Sequence, residues 1–154
     1  MTESAVIMGI DPGVQTGIAL YQGGKLCELR TIAPADYERV LLDIQPVLVV
    51  LEDSRLTSKV FTGPTKNERS RLKIARNIGM VDGFCHLLFD QCERNDIEVM
   101  GVAPIDKGRK LKAAPFGRYT RYTGTSNQHE RDAGMVAWPF RHRRARALPQ
   151  RARK

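Results

Sequence analysis

No apolar run in these 154 residues approaches the roughly 20 that a membrane-spanning helix requires, so neither a helical membrane protein nor a membrane partner is expected. The opening Met1-Thr2-Glu3-Ser4 lacks a basic segment leading into an apolar stretch and a small-residue cleavage site. Nothing there directs export, and a cytoplasmic location is expected. Cysteine is sparse. Cys27, Cys85 and Cys92 form no CxxC pair and, being three, cannot all pair within one chain, which fits a reducing compartment and thiols buried in a core. A zinc site needs clustered Cys and His ligands, whereas His86 beside Cys85 falls roughly 100° away around a helix. No Ser-His-Asp set is evident, and no covalent protein intermediate is required. Acid is scarce only toward the end of the chain. Residues 107–154 hold 2 Asp/Glu against 14 Lys/Arg, a balance of +12, while residues 1–106 hold 15 against 11, a balance of −4; the net charge is +8. A positive face beside a slightly acidic body is the electrostatic footprint of a polyanion partner, so nucleic acid is favoured over an acidic small molecule.

What is present is a globular composition, 42% hydrophobic and 27% charged, at a length suited to one domain with a real core. Ala5 to Ile10 is an apolar strand that ends on Asp11 and breaks at Pro12-Gly13. β character resumes from Thr16 to Tyr21, Gly23-Gly24 is a two-residue hairpin turn, and Lys25 to Ile32 returns, so three sequential antiparallel strands are expected. Val40, Leu41 and Ile44 sit at helical spacing within Asp36 to Ile44. Pro46 stops that helix before Val47 to Leu51, an apolar run suited to a strand covered on both faces. Ser54 to Thr65 reads as a loop. From Lys66 to about Arg94, the residues Leu72, Ala75, Ile78, Gly79, Asp82, Cys85, Leu88 and Cys92 recur at steps of three and four, one face of a long helix. Gly79 and Gly83 either weaken this helix or admit another one closely. Glu98 to Val102 is a fifth strand, Asp106 to Thr125 is basic and irregular, and a closing helix starts near Asn127 and continues through Trp138. This order predicts an α/β fold, a five-stranded mixed sheet flanked by helices. The domain is expected to span 1–140; residues 141–154, with seven Lys/Arg and no acid, form a basic tail expected to order on an anionic partner.

Two neighbouring strands of such a sheet would each deliver a carboxylate at the same end, Asp11 from the first and Glu52 from the fourth. His129 and Asp132, at i and i+3, share one face of the closing helix, while Glu130 points elsewhere. Each piece has a plain structural reading: Asp11-Pro12-Gly13 is a good turn, Glu52-Asp53 a polar strand end, and His129 to Asp132 a solvated helix face. Carboxylates converging from separate segments are also what Mg²⁺ needs in a two-metal phosphodiester hydrolase, where the ions sit about 3.5–4 Å apart. Chance rarely places an acid after the first strand, an acid after the fourth and an acid on the last helix in this order.

Met8-Gly9-Ile10-Asp11-Pro12-Gly13 with Thr16-Gly17, then Val49-Val50-Leu51-Glu52, then His129-Glu130-Arg131-Asp132-Ala133 resemble the RuvC-type Holliday-junction resolvases of the RNase H-like superfamily, over about Ala5 to Ala137. Ala75 to Gly79 resembles the helix after the catalytic glutamate of those enzymes, and Val102-Ala103-Pro104 followed by lysines resembles their fifth strand and DNA-contacting segment. The resemblance implies an RNase H-like fold and a Mg²⁺-dependent endonuclease of recombination and repair, with Mn²⁺ as a substitute, two ions per active site and no organic cofactor. It implies that Asp11 bridges both ions, Glu52 binds one and Asp132 the other. His129 stands where the family carries aspartate or histidine, and is either a ligand or a proton carrier to the leaving 3′ oxygen. In-line attack would leave 5′-phosphate and 3′-hydroxyl ends. The family's aromatic residue soon after the glutamate, which works against the junction's base pairs, is missing: Asp53-Ser54-Arg55-Leu56 stands there, and the first aromatic is Phe61. Pro115 to Asn127 and the arginine-rich tail match no family motif.

Lys107, Arg109, Lys110 and Lys112 follow the fifth strand, and Arg118, Tyr119, Arg121 and Tyr122 interleave cations with aromatics. They are the expected contacts to phosphates and exposed bases of branched DNA, with a solvated face and two partly buried tyrosines as the plain alternative. Cutting two opposed strands of a near-two-fold junction calls for a C2 homodimer, with Gly79, Gly83 and Phe84 on a candidate interface. Two other functions fit the same residues: a catalytically silent protein that binds branched DNA, and an RNase H-like nuclease acting on structured RNA.

Overall fold

The computed structural model of the protein describes residues 5–57 and 67–144. Five strands form one sheet in the order β3-β2-β1-β4-β5. β1 (Val6–Asp11), β2 (Thr16–Gln22) and β3 (Lys25–Ile32) run antiparallel, and Gly23 and Gly24 both take the positive φ that the hairpin turn between β2 and β3 requires. β4 (Leu48–Glu52) pairs parallel to β1, and β5 (Glu98–Val102) pairs parallel to β4. Each parallel strand is reached through a helix, α1 (Tyr37–Ile44) before β4 and α2 (Glu68–Arg94) before β5. This is the α/β architecture expected from the element order.

The central strands are covered on both faces, which explains their unbroken apolar runs. Met8, Ile10, Val49 and Leu51 face one side, against Leu41 of α1 and Cys85, Leu88 and Cys92 of α2. Ile7, Leu48 and Val50 alternate to the other side, against Phe116, Ala133, Val136 and Ala137. Those four come from α3 (Ala113–Thr120) and α4 (Gln128–Ala137). Each large side chain removed from water on these faces contributes about 1.5–3 kcal/mol. All three cysteines are free; Cys85 and Cys92 are buried, whereas Cys27 is exposed on β3.

Two elements depart from expectation. The segment read as irregular, Asp106 to Thr125, contains α3. Pro115 lies in the first turn of that helix, where a missing N–H breaks no intrahelical bond, and Phe116 and Thr120, one turn apart, face the core. The second departure is α2, of whose expected apolar face only the C-terminal half is covered: Cys85, Leu88 and Cys92 are buried while Leu72 is 65% exposed. A helix of 27 residues measures about 40 Å, whereas the five-residue strands beneath it measure about 17 Å, so its N-terminal half overhangs the sheet. No other described segment approaches the side-chain positions of Gly79 or Gly83.

Beyond α4 the chain makes a 3-10 turn (Trp138–Phe140), and the first residues of the basic tail rest on the body. Arg141 stacks 3.7 Å over the Trp138 ring, and Arg143 pairs with Glu98 of β5 at 2.8 Å. Phe61 and the tail from 145 onward lie outside the described residues.

Candidate active site

Parallel pairing aligns Ile10 with Leu51, so the next residues, Asp11 and Glu52, emerge together at the carboxyl end of β1 and β4. The strands set these two acids side by side, and α4 closes the site. Its start is fixed by a capping box in which the Asn127 side chain accepts from the Glu130 amide at 3.0 Å and the Glu130 carboxylate accepts from the Asn127 amide at 2.9 Å. Thr31 of β3 donates to the same carboxylate at 3.0 Å, so Glu130 is occupied with anchoring the helix and stays out of the acid pocket. The helix lies close to the sheet because β1 and β2 present glycines beneath it. A Cβ on Gly9 would overlap the Ala133 carbonyl, and one on Gly17 the His129 carbonyl. The Gly-Ile-Asp and Thr-Gly motifs are therefore steric conditions for docking α4.

With the helix in place, His129 Nδ1 stands 3.1 Å from Asp11 Oδ2. Asp132 is 4% exposed and accepts from Gln128 Nε2 at 2.8 Å. The Gln128 carbonyl accepts in turn from Arg131, whose other N–H groups donate to the carbonyls of Leu111 at 2.9 Å and Ser126 at 2.7 Å. Arg131 thus pins the segments flanking α3 to α4 and orients the residue that orients Asp132.

A cation already occupies the centre. Lys107, at the end of a 3-10 turn (Pro104–Lys107) that follows β5, has a side chain only 6% exposed. Its ammonium donates to Glu52 Oε2 and lies 3.6 Å from Asp132 Oδ2, while Lys110 reaches within 3.9 Å of the same oxygen from the surface. Burial raises Asp11 to about 6, an effect that Glu52 and Asp132 reinforce and the His129 hydrogen bond and Lys107 oppose. Burial alone would depress Lys107, but the Glu52 hydrogen bond and the surrounding carboxylates outweigh it and hold its pKa above the usual lysine value.

Among the described residues, no three His, Cys, Asp or Glu side chains stand close enough to hold one ion as they are, and Lys107 fills the gap between Glu52 and Asp132. The donor chemistry nevertheless suits a hard cation: carboxylates from β4 and α4 flank a held positive charge, and the β1 carboxylate lies near enough to feel both acids.

The structure brings Asp11, Glu52, His129 and Asp132 together. Lys107, expected among the contacts to phosphates, has its side chain buried among the acids in the protein alone. Arg109, Lys110, Lys112, Arg118 and Arg121 are exposed. Tyr119 is 54% exposed beside Trp138, whereas Tyr122 packs on the core. Asp53, next to Glu52, is held by Arg55 at 2.9 Å instead of joining the pocket, as the alternation of a strand dictates. Sequence reasoning missed Gln128 and Arg131, although Gln128 and Asp132 have the i, i+4 spacing that puts side chains in reach.

Among solved structures, the chain is similar to a Thermus thermophilus RuvC in complex with a Holliday junction substrate, with a TM-score of 0.59 and 16% identity over 87% of this chain and 90% of that one. A second Thermus thermophilus RuvC structure matches with a TM-score of 0.55 and 14% identity over 86% of this chain and 91% of the other. No protein-family model matches the chain, and no curated protein does. The likeness is one of fold, and the five-stranded mixed sheet with its flanking helices is RNase H-like.

Proposed function

We propose that the protein is a metal-dependent endonuclease that cuts branched DNA, a Holliday junction above all, in recombination and repair. The observation that carries this reading is that Asp11, Glu52 and Asp132, from three separate elements, lie near enough for their charges to act on one another, with the buried Lys107 ammonium on Glu52 and beside Asp132. Asp11, Glu52 and Asp132 would hold two Mg²⁺ ions, or Mn²⁺ in their place, with His129 beside Asp11 as a further ligand or a proton carrier. What such ions supply when bound is a water of lowered pKa and stabilisation of the departing 3′ oxygen.

The chain's own residues prepare the site. Gln128 and Arg131 fix the Asp132 carboxylate, and the α4 docking allowed by Gly9 and Gly17 fixes His129 against Asp11. From that place the imidazole can hold or hand over a proton at Nδ1. Lys110 reaches the acids from the surface, and Arg109, Lys112, Arg118 and Arg121, exposed along the segment that runs into and through α3 to its C-cap, would supply further cations to phosphates. Each phosphate they neutralise adds about 0.9 to the salt slope of duplex binding. The two-fold character of a four-way junction suits a C2 homodimer, for which the overhanging half of α2 is left uncovered by the other described residues.

One observation favours a second reading, a catalytically silent protein that binds branched DNA: Lys107 already neutralises Glu52 and lies against Asp132. A four-way junction, a flap, a duplex and a structured RNA, offered in parallel with and without Mg²⁺, separate these. The nuclease reading expects Mg²⁺-dependent nicking of the junction, and an Asp11→Asn variant that binds the junction uncut. Cleavage by Asp11→Asn overturns the assigned site. Binding without cleavage by the unaltered protein in Mg²⁺ and in Mn²⁺ establishes the silent reading, and cleavage of RNA alone changes the substrate.

A further inference from the structure

We infer that Lys107 is the resident cation of the acid pocket and couples ion binding to substrate: its ammonium holds the carboxylates together while the protein is alone, and moves to a phosphate when nucleic acid and divalent ions arrive. This rests on the nuclease reading of the pocket and adds to it a regulation of ion occupancy.

The geometry places the ammonium where an ion would compete with it, bonded to Glu52 and 3.6 Å from Asp132, with the stem buried along the 3-10 turn after β5. Three ionised carboxylates and one ammonium carry −2 in all; a first divalent ion brings the pocket to zero and a second to +2. An excess of positive charge in a largely buried pocket is costly, because its Coulomb energy is poorly screened there. A phosphodiester supplies the missing negative charge and at the same time an acceptor for the displaced ammonium. A second cation stands at the edge of the pocket to meet that phosphate, since the Lys110 ammonium, on a side chain 70% exposed, lies 3.9 Å from Asp132 Oδ2. A lysine suits the task better than an arginine, because a compact ammonium on a flexible four-carbon stem can occupy a cation's place and vacate it.

The test is Mn²⁺ binding to the full chain by calorimetry, with and without a four-way junction carrying phosphorothioate linkages at its branch point. In the unaltered protein the junction is expected to tighten Mn²⁺ binding about tenfold. Lys107→Met is expected to bind Mn²⁺ about tenfold more tightly than the unaltered protein when no DNA is present, and to gain little more from the junction. Lys107→Gln, which keeps a donor for Glu52 and loses the charge, is expected to follow Lys107→Met, whereas Lys107→Arg, which keeps the charge on a bulkier planar group, is expected to retain only part of the coupling. Variants that bind Mn²⁺ no more tightly than the unaltered protein, or that keep the full tightening by the junction, overturn the inference. Asp132→Asn separates the two levels. Unchanged Mn²⁺ affinity in that variant discards the pocket as an ion site and the nuclease reading with it, whereas weakened binding there beside an unmoved Lys107→Met overturns the role of Lys107 alone.

Discussion

Gln128 Nε2 donates to Asp132 Oδ1 at 2.8 Å while Arg131 donates to the other end of the same amide at 3.2 Å, so the acid on α4 is steered by its own helix. Partners behind a metal-binding group typically change affinity or activity by about 10–100-fold when removed. Gln128→Leu keeps the volume and deletes both bonds. Single-turnover cleavage is expected to slow about tenfold, with junction affinity in the absence of metal unchanged. A loss of DNA affinity with the cleavage rate intact would instead make Gln128 a DNA contact.

The raised pKa of Asp11 has a consequence for stability. Its carboxyl titrates near 3.8 when unfolded and near about 6 when folded. Between those values the folded chain holds a proton that the unfolded chain has released, so stability falls as pH rises through the window, and below it both states are protonated and the penalty disappears. Asp11→Asn removes this titration. In metal-free urea unfolding the variant is expected to exceed the unaltered protein by up to about 3 kcal/mol at pH 8, with the gap closing toward pH 4. Parallel pH profiles would show that Asp11 ionises in the folded chain as it does in the unfolded one.

The elements legible in the sequence are those where local pattern and tertiary demand agree. Ile7 to Ile10 and Leu48 to Leu51 are apolar without a helical period because both faces of their sheet are covered, and Asn127 with Glu130 announces the start of α4 by local capping chemistry. α3 was hidden because Pro115 and Gly117 oppose a helix by propensity, while the contact that holds it, Phe116 against Gly134, is remote in sequence. Periodicity shows that a helix face is apolar but not what covers it, and so Leu72 and Leu88 share a pattern and differ in fate. The same limit applies in the site. Strand ends and an i, i+3 pair expose Asp11, Glu52, His129 and Asp132, but Lys107 is one of four closely spaced cations, and only the turn Pro104–Lys107 decides which of them points inward.

Docking of α4 should be sensitive to a single methyl group. At Gly17 the obstacle to a Cβ is the His129 backbone carbonyl, which cannot rotate away as a flexible side chain would. Gly17→Ala is expected to destabilise the protein by about 1–3 kcal/mol in urea unfolding and to depress cleavage further by moving His129 off Asp11. Full stability in this variant would show that the helix start has room to shift, and would remove the steric account of the Thr-Gly motif.

The overhang of α2 tests the assembly. Leu72 is 65% and Met80 43% exposed, and no other described segment approaches a side chain at Gly79 or Gly83, so this stretch of the helix is left uncovered by the described residues. A second copy of the same helix, related by a two-fold axis, would cover it and give a junction two acid pockets. Met80→Glu would then set two like charges near that axis. Sedimentation is expected to show a dimer for the unaltered protein and a monomer for Met80→Glu, whose own melt is little changed because the side chain leaves no core. The monomer should nick one junction strand per encounter instead of two. A dimer that survives both Met80→Glu and Leu72→Glu places the two-fold axis on another surface.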